Sequence, residues 1–338
     1  MNKILVFIIL FFPVTLIQAE KVATLDKLLR PDMITIGNNR ICITEGASVL
    51  VYSLEDYRLV KKFGKKGEGP REFKIVPFGP PMVAIPYNDK IFVSSNSKLS
   101  VFTLDGVFIK ESKVKPFTVF LPFRNNFLAT AMVSDDKKQT VLGINLYNER
   151  FEKLKTLYTS DMQVGPSANM NFPFNSFAFL PYKDRAYVVA GKEGFVIDVF
   201  DQRGTKLYRI KKEFKPLKIP AEFKKKTEEW FKTNSFYKQF WEYMKTRLSY
   251  KNQYPAIRGM DVQDDRIYVL TYKMKAEKSE FIIMDLKGNE QKRVYLPCPE
   301  NIGMDYYPKY AIHNGNFYTL IENEDDEVWE LHKNKLIK

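Results

Sequence analysis

Only two histidines, His313 and His332, occur in the 338 residues, and both stand near the C-terminal end. A zinc site built from several imidazoles needs more than two. A Ser-His-Asp relay would have to recruit one of this pair, with no Gly-x-Ser-x-Gly turn in the chain to present a serine. His313 precedes the turn Asn314-Gly315-Asn316 and His332 ends an alternating run, so both are read as structural or solvated. Cys42 alternates with Ile41 and Ile43, and Cys298 lies between Pro297 and Pro299. Neither has a helix start or a histidine beside it that would activate a thiolate. They are read as two separate thiols, with a bridge in an oxidising compartment left open.

Phosphate chemistry has one place to look. Gly64-Lys65-Lys66-Gly67-Glu68-Gly69 is glycine-rich, but Pro70 follows where a nucleotide loop would need a helix. The segment is read as a tight turn, and its charged residues Lys66, Glu68 and Arg71 are taken, with Arg258, as the candidates for ligand contact. Oxygen donors for a hard cation stand at Glu68, Asn175, Asp261 and Asn301. No motif singles them out, and turns use the same residue types for local hydrogen bonds. The acidic run from Glu322 to Glu327 lacks the Asp-x-Asp-x-Asp-Gly order and reads as a solvated hairpin tip. No cofactor and no catalytic residue is expected from these patterns.

Any such groups would be positioned by a repeated phrase: a turn pair, a short apolar strand, a polar gap, a second alternating strand, and an acidic-Gly turn. It is clearest from Asn88 to Ile109. Six copies follow one another, with strands centred on Arg40–Ile43, Lys90–Val93, Asn126–Ala129, Arg185–Val188, Arg266–Val269 and Asn316–Thr319. A second strand follows in each, through Val49–Tyr52, Leu99–Phe102, Val141–Ile144, Phe195–Phe200, Phe281–Met284 and Glu327–Leu331. Turns then fall at Asp105-Gly106, Asp201-Gln202-Arg203-Gly204 and Lys287-Gly288-Asn289, while the third unit has Asn148-Glu149 instead. Small antiparallel sheets of this kind bury their faces only against one another. Six four-stranded units predict an all-β, six-bladed propeller in which radial repetition protects the sheet edges.

The stretch Gly64 to Phe73 followed by Asn88 to Lys110 resembles NHL-type repeats and the related six-bladed bacterial propellers. The units starting near Asp184 and Asp265 repeat the pattern, and Tyr254 to Val262 resembles the lead into a late blade. That resemblance implies a propeller over nearly the whole chain. It does not imply one activity, because such folds host binding modules, sensors and enzymes. Lactone- and phosphotriester-hydrolysing propellers hold an axial divalent cation on Glu, Asn and Asp, which makes a metal-dependent hydrolase the alternative reading.

Residues 1–19 have the layout of a secretory signal: Lys3, an apolar run from Ile4 to Phe12, a break at Pro13, and a small residue at Ala19 ahead of a cut before Glu20. The run is too short for a spanning helix. Residues 20–338 are then the propeller, periplasmic or extracellular or peripheral at the membrane, with no transmembrane segment after cleavage. The chain carries 53 Lys and Arg against 40 Asp and Glu, net +13, and cleavage leaves +12. Anionic partners are favoured, but no nucleic-acid module is present. Only Lys224-Lys225-Lys226 is an uninterrupted basic run.

The repeat is interrupted over residues 219–250, where Pro220-Ala221-Glu222-Phe223 opens like a helix and apolar residues recur in helical steps through Leu248. Two helices are expected between the fourth and fifth blades, with Ser235 capping the second. Their aromatic side either covers blade edges as a lid or docks a partner through Lys224, Lys225, Lys226, Trp230 and Phe231. Arg258, on the way into the fifth unit, is expected to point toward the channel, where an unpaired charge is costly. The sequence therefore reads as an exported, monomeric, non-catalytic module that binds a protein or an anionic ligand such as a glycan through one propeller face.

Overall fold

The computed structural model describes residues 19–75, 82–116, 118–165, 168–300, 302–304 and 309–336. Residues 1–18, all but the last of the stretch expected to be a signal, and Asn301 lie outside them. Six four-stranded antiparallel sheets follow one another around a ring. Blade 1 is Met33–Gly37, Arg40–Glu45, Ser48–Ser53 and Leu59–Phe63; blade 2 is Val83–Tyr87, Lys90–Ser95, Lys98–Thr103 and Phe108–Lys113. Blade 3 is Phe120–Phe123, Asn126–Ser134, Thr140–Tyr147 and Lys153–Gln163; blade 4 is Phe179–Tyr182, Arg185–Val189, Val196–Phe200 and Lys206–Lys211. Blade 5 is Gly259–Gln263, Arg266–Lys275, Lys278–Asp285 and Glu290–Leu296. Blade 6 takes Tyr310–His313, Asn316–Asn323 and Val328–Lys335 from the end of the chain and its outermost strand, Glu20–Leu25, from the beginning. Blades touch around the whole circuit near the axis, the inner strand of blade 1 against those of blades 2 and 6, and the inner strand of blade 3 against the second strand of blade 2.

Alternation drives the packing. Along each strand one set of side chains turns toward the preceding blade and the other toward the next. Each boundary between blades therefore holds its own apolar cluster. Ile34, Ile43 and Leu50 of blade 1 meet Leu320 and Leu331 of blade 6. Val49 and Phe73 meet Ile91 and Phe102 between blades 1 and 2. Tyr187 and Ile197 meet Met260 and Ile282 between blades 4 and 5. Cys42 and Cys298 are free thiols buried in two different clusters, and burial pushes both thiols up.

The turns explain why the third unit keeps the fold despite its altered sequence. In blade 4, Asp201 Oδ1 accepts the N–H groups of Arg203 and Thr205 at 2.9 and 2.7 Å, and in blade 5 Asp285 Oδ1 accepts those of Lys287 and Asn289 at 2.9 and 2.8 Å. Asn148 Oδ1 does the same for Arg150 and Glu152 at 2.9 and 3.0 Å. An amide oxygen replaces a carboxylate with the same geometry. The left-handed position that Gly204 and Gly288 fill at φ of 73° and 89° is taken by Phe151 at 63°. The Phe151 ring packs on Phe120 and Phe127 at 5.4 and 5.3 Å between centroids, contacts that offset the backbone cost.

Between blades 4 and 5 the chain forms helix α1, Ala221–Thr233, a single 3₁₀ turn at Tyr237–Phe240, and the one-turn helix α2, Trp241–Met244. Pro220 occupies the N-cap rather than the first turn. Ser235 is not the cap that the sequence suggested. Asn234 Oδ1 instead accepts the N–H groups of Phe236 and Tyr237 at 3.0 and 3.1 Å, because its amide reaches both donors from the end of α1. Among the described residues no helix is long and apolar enough to cross a membrane.

Candidate functional site

Strand directions put two kinds of connection on opposite faces of the ring. Hairpins between second and third strands, and the links from an outer strand to the next inner strand, emerge together. The four longest links leave that face after Phe63, Gln163, Lys211 and Leu296. A rigid ring carrying its variable loops on one side is the usual arrangement for recognition.

The glycine-rich turn lies on this face at the boundary of blades 1 and 2, and its polarity is opposite to that of a phosphate cradle. Its carbonyls point inward: Lys98 Nζ donates to the carbonyl oxygens of Glu68, Gly69 and Glu72 at 3.0, 2.7 and 3.2 Å and pairs with Glu111 at 3.0 Å. The Glu72 carboxylate takes the Gly69 N–H at 2.9 Å. Gly64 sits at φ 87°, where a Cβ would lie 2.6 Å from the Ala47 carbonyl oxygen and 2.7 Å from the Phe73 ring, so no other residue fits there. Glu68 is paired with Lys74 at 2.6 Å, Arg71 lies 6.0 Å from the Phe108 ring centre, and Lys66 is exposed on a two-residue strand. The turn is therefore a clasp between two blades.

Arg258 stands three blade steps away, so these four residues do not share a site. It precedes the inner strand of blade 5, and its guanidinium runs along that blade instead of into the channel. Nη1 donates to Ser279 Oγ at 2.9 Å, Nη2 to the Pro299 carbonyl, and the group lies over Tyr272. The channel wall of that blade carries Asp261 instead. Its carboxylate accepts the Val262 N–H at 2.7 Å and the Ile312 N–H of the neighbouring inner strand. Burial, reinforced by the charge of Asp264, pushes Asp261 up to about 6.

That shift sets a pH dependence. The folded chain holds this proton more tightly than the unfolded chain, so the Asp261 contribution falls as pH rises from about 4 to about 6 and is level above. Asp261→Asn is expected to melt higher than the parent at pH 8, by about 2 to 3 kcal/mol at most, with the advantage shrinking toward pH 4. Thermal melts of both proteins across that range check it, and parallel curves would count against it.

The helices place their aromatic side inward. Phe231 is fully buried against Phe172 and Tyr237, and Trp230 packs on Gly303. Phe231 is closed off, because Phe172, Ile219, Phe223, Met244 and Tyr254 surround it as a separate small core, while Trp230 is half-buried at the edge of that core. Lys225 and Lys226 face solvent, while Lys224 lies 5.6 Å from the Tyr250 ring centre.

Where this insertion meets blade 4 an open cleft of about 380 Å³ forms, lined by Asn175, Lys192, Glu193, Lys212, Phe214, Lys251, Gln253 and neighbouring backbone. Lys251 is half-buried, donates to Asn175 Oδ1 at 2.8 Å, and is held below the usual lysine value by burial, with Asp161 pulling the other way. Asn175 in turn donates to Asp161 at 2.7 Å. The carboxylate on the rim, Glu193, is engaged by Arg209 at 2.6 and 3.3 Å. Arg209 also binds buried Asp198 at 2.7 and 2.9 Å, and Lys206 completes that pair at 2.9 Å. The cleft thus presents three lysine ammonium groups beside amides, with Asp161 reached from Lys251 through Asn175 and Glu193 taken by Arg209.

Of the donors named for an axial cation, Glu68 is in the inter-blade clasp, Asn175 gives its oxygen to an ammonium, Asp261 accepts backbone N–H groups on the blade 5 wall, and Asn301 lies outside the described residues. Among the described residues no three His, Cys, Asp or Glu side chains come together as a metal set. His332 Nε2 meets Glu330 at 2.8 Å beside Lys21, and His313 is held below the usual histidine value by burial. Lys192, Lys212, Lys251 and Gln253 escaped sequence reasoning, since the first comes from a hairpin of blade 4 and the others from the two ends of the link after it, and none carries a motif. Only the lysine density after residue 210 hinted at them.

No protein-family model matches the sequence, and no curated protein matches it. Solved structures with a similar chain path include the Cps50 (Swd1) β-propeller domain of Myceliophteria thermophila, 10% identical, covering 95% of this chain and 100% of that one, TM-score 0.44. The calcium-binding protein regucalcin of Agrobacterium tumefaciens is 13% identical over 94% and 95% of the two chains, TM-score 0.45. The Neurospora crassa Pan2 WD40 domain is 8% identical over 95% and 96%, TM-score 0.47. At these values the six-bladed assignment rests on the strand pairing described above.

Proposed function

We propose that this chain is an exported, non-catalytic binding module that recognises an anionic group, on a glycan or on a protein, through the face bearing the long links. The observation that carries the reading is the half-buried Lys251, bonded in the cleft to the amide oxygen of Asn175 with Asp161 behind that amide, and with Lys192 and Lys212 on the same wall. A desolvated ammonium interacts strongly with an incoming anion because water screens it less. The dispersed oxygen donors give the hydrolase reading no comparable support. Export rests on the layout of residues 1–19, and N-terminal sequencing of protein from the cell exterior should begin at Glu20.

The binding test is a melting-point screen with galacturonate, citrate and phosphate against glucose, at low and at physiological salt. Ligand at a hundred times its Kd should stabilise by about 2.7 kcal/mol. Lys251→Gln should abolish the shift while leaving the unliganded melt close to the parent. Equal responses to glucose and galacturonate would sink the reading, and a calcium shift reversed by chelation would move it to the hydrolase.

A further inference from the structure

Beside the cleft at blade 4 lies a second one of about 340 Å³, lined by Lys218, Ile219, Lys224, Lys251, Asn252 and Gln253. Lys251 and Gln253 belong to both walls, so the two hollows adjoin along one edge of the insertion. The insertion also concentrates charge. From Lys215 to Lys251 there are ten Lys and Arg against four Asp and Glu, net +6 out of the chain's +13.

We infer that the two hollows are one trough and that its ligand is a linear acidic polysaccharide, an inference that rests on the anion-binding reading above. A small anion would need one ammonium pair. Here Lys192 and Lys212 stand at one end, Lys251 at the middle, and Lys218 and Lys224 at the other, which suits a chain with a charge on successive units. Between them are groups that suit sugar rings: the exposed amides of Asn252 and Gln253 for hydroxyls, and the half-buried ring of Phe214 for an apolar face. Both hollows are open, as a through-running polymer requires, and each falls in the range of ligand sites. Against a nucleic acid, Tyr254 is buried and stacked on Tyr272 at 4.4 Å between centroids, so it cannot take an unstacked base between two faces.

The test is titration calorimetry with galacturonate oligomers of one, two, four and six units, and with single-stranded oligonucleotides of equal charge. Affinity is expected to climb at least tenfold from monomer to tetramer and then level, and to fall with rising salt. Lys251→Gln should lose at least tenfold, Lys192→Gln and Lys218→Gln several-fold for the tetramer but not both for the dimer. Lys225→Gln, on the outer side of α1, should stay within twofold of the parent. A monomer that binds as well as the tetramer would overturn the trough and leave the anion site standing. No binding of any anion overturns both readings. Tighter binding of oligonucleotides, or an equal loss in Lys225→Gln, overturns the polysaccharide assignment.

Discussion

A chain shortened to begin at Met33 is expected to lose its single cooperative unfolding step. The removed strand, Glu20–Leu25, is the outer strand of blade 6, paired from Glu20 with Lys333 to Leu25 with Trp329. Leu25 and Leu28, each 2% exposed, leave the cluster between blades 6 and 1. Each buried leucine is worth about 1.5–3 kcal/mol, and the strand Val328–Lys335 would become an open edge. Leu25→Asp tests the same contact without truncation, and about 4–5 kcal/mol is expected from burying a charge in an apolar cluster. Acid should loosen this closure first. Lys21, Asn323 and His332 hold the Glu330 carboxylate down to about 2, so its contribution is full above the ordinary glutamate range and is lost as pH falls from about 4.5 toward 2. Calorimetry of the shortened chain and of L25D settles the matter, and one sharp transition near the parent temperature would contradict it.

Phe231→Ala is expected to melt the insertion while the six blades stay folded. The ring is fully buried and meets Phe172, Trp230 and Tyr237 at 5.7, 5.1 and 5.5 Å. Emptying such a site costs about 3–5 kcal/mol, and a core of this size has little to spare. The far-ultraviolet β signal should persist and trypsin should cut among Lys224, Lys225 and Lys226. Anion binding should vanish, because Lys251 and Gln253 follow the helices and lose their support. Unchanged proteolysis together with unchanged binding would show that the helices are held by something other than this ring.

The blades were legible because each repeats a local rule. The acidic turn and the alternating strands recur at short range, and Asn148, though not an acid, makes the same turn bonds. The closing strand was not legible, since Glu20–Leu25 carries no turn phrase and its partner is at the other end of the chain. The site was hidden for a related reason. Amphipathicity placed the helices and left their aromatic side either a lid or a docking face, because only the packing of Phe231 among Phe172, Trp230 and Tyr237 shows which way it turns. Arg258 was aimed at the channel by its position before an inner strand, yet the Ser279 hydroxyl and the Pro299 carbonyl offered nearer partners along the blade. Lys192 and Lys251 are ordinary surface lysines in the sequence, and only the ring brings them to one wall.

The pairing of Lys21 with Glu330 joins residues 309 positions apart. A contact that distant cannot form early. Five blades can assemble in order from neighbouring segments, but the sixth waits until nearly the whole chain is available, and until then two unpaired strand edges stay open. Closure is thus a late event in time, set by the slow search for a long loop. The partly built ring is the species most exposed to aggregation or to capture by a second chain's first strand.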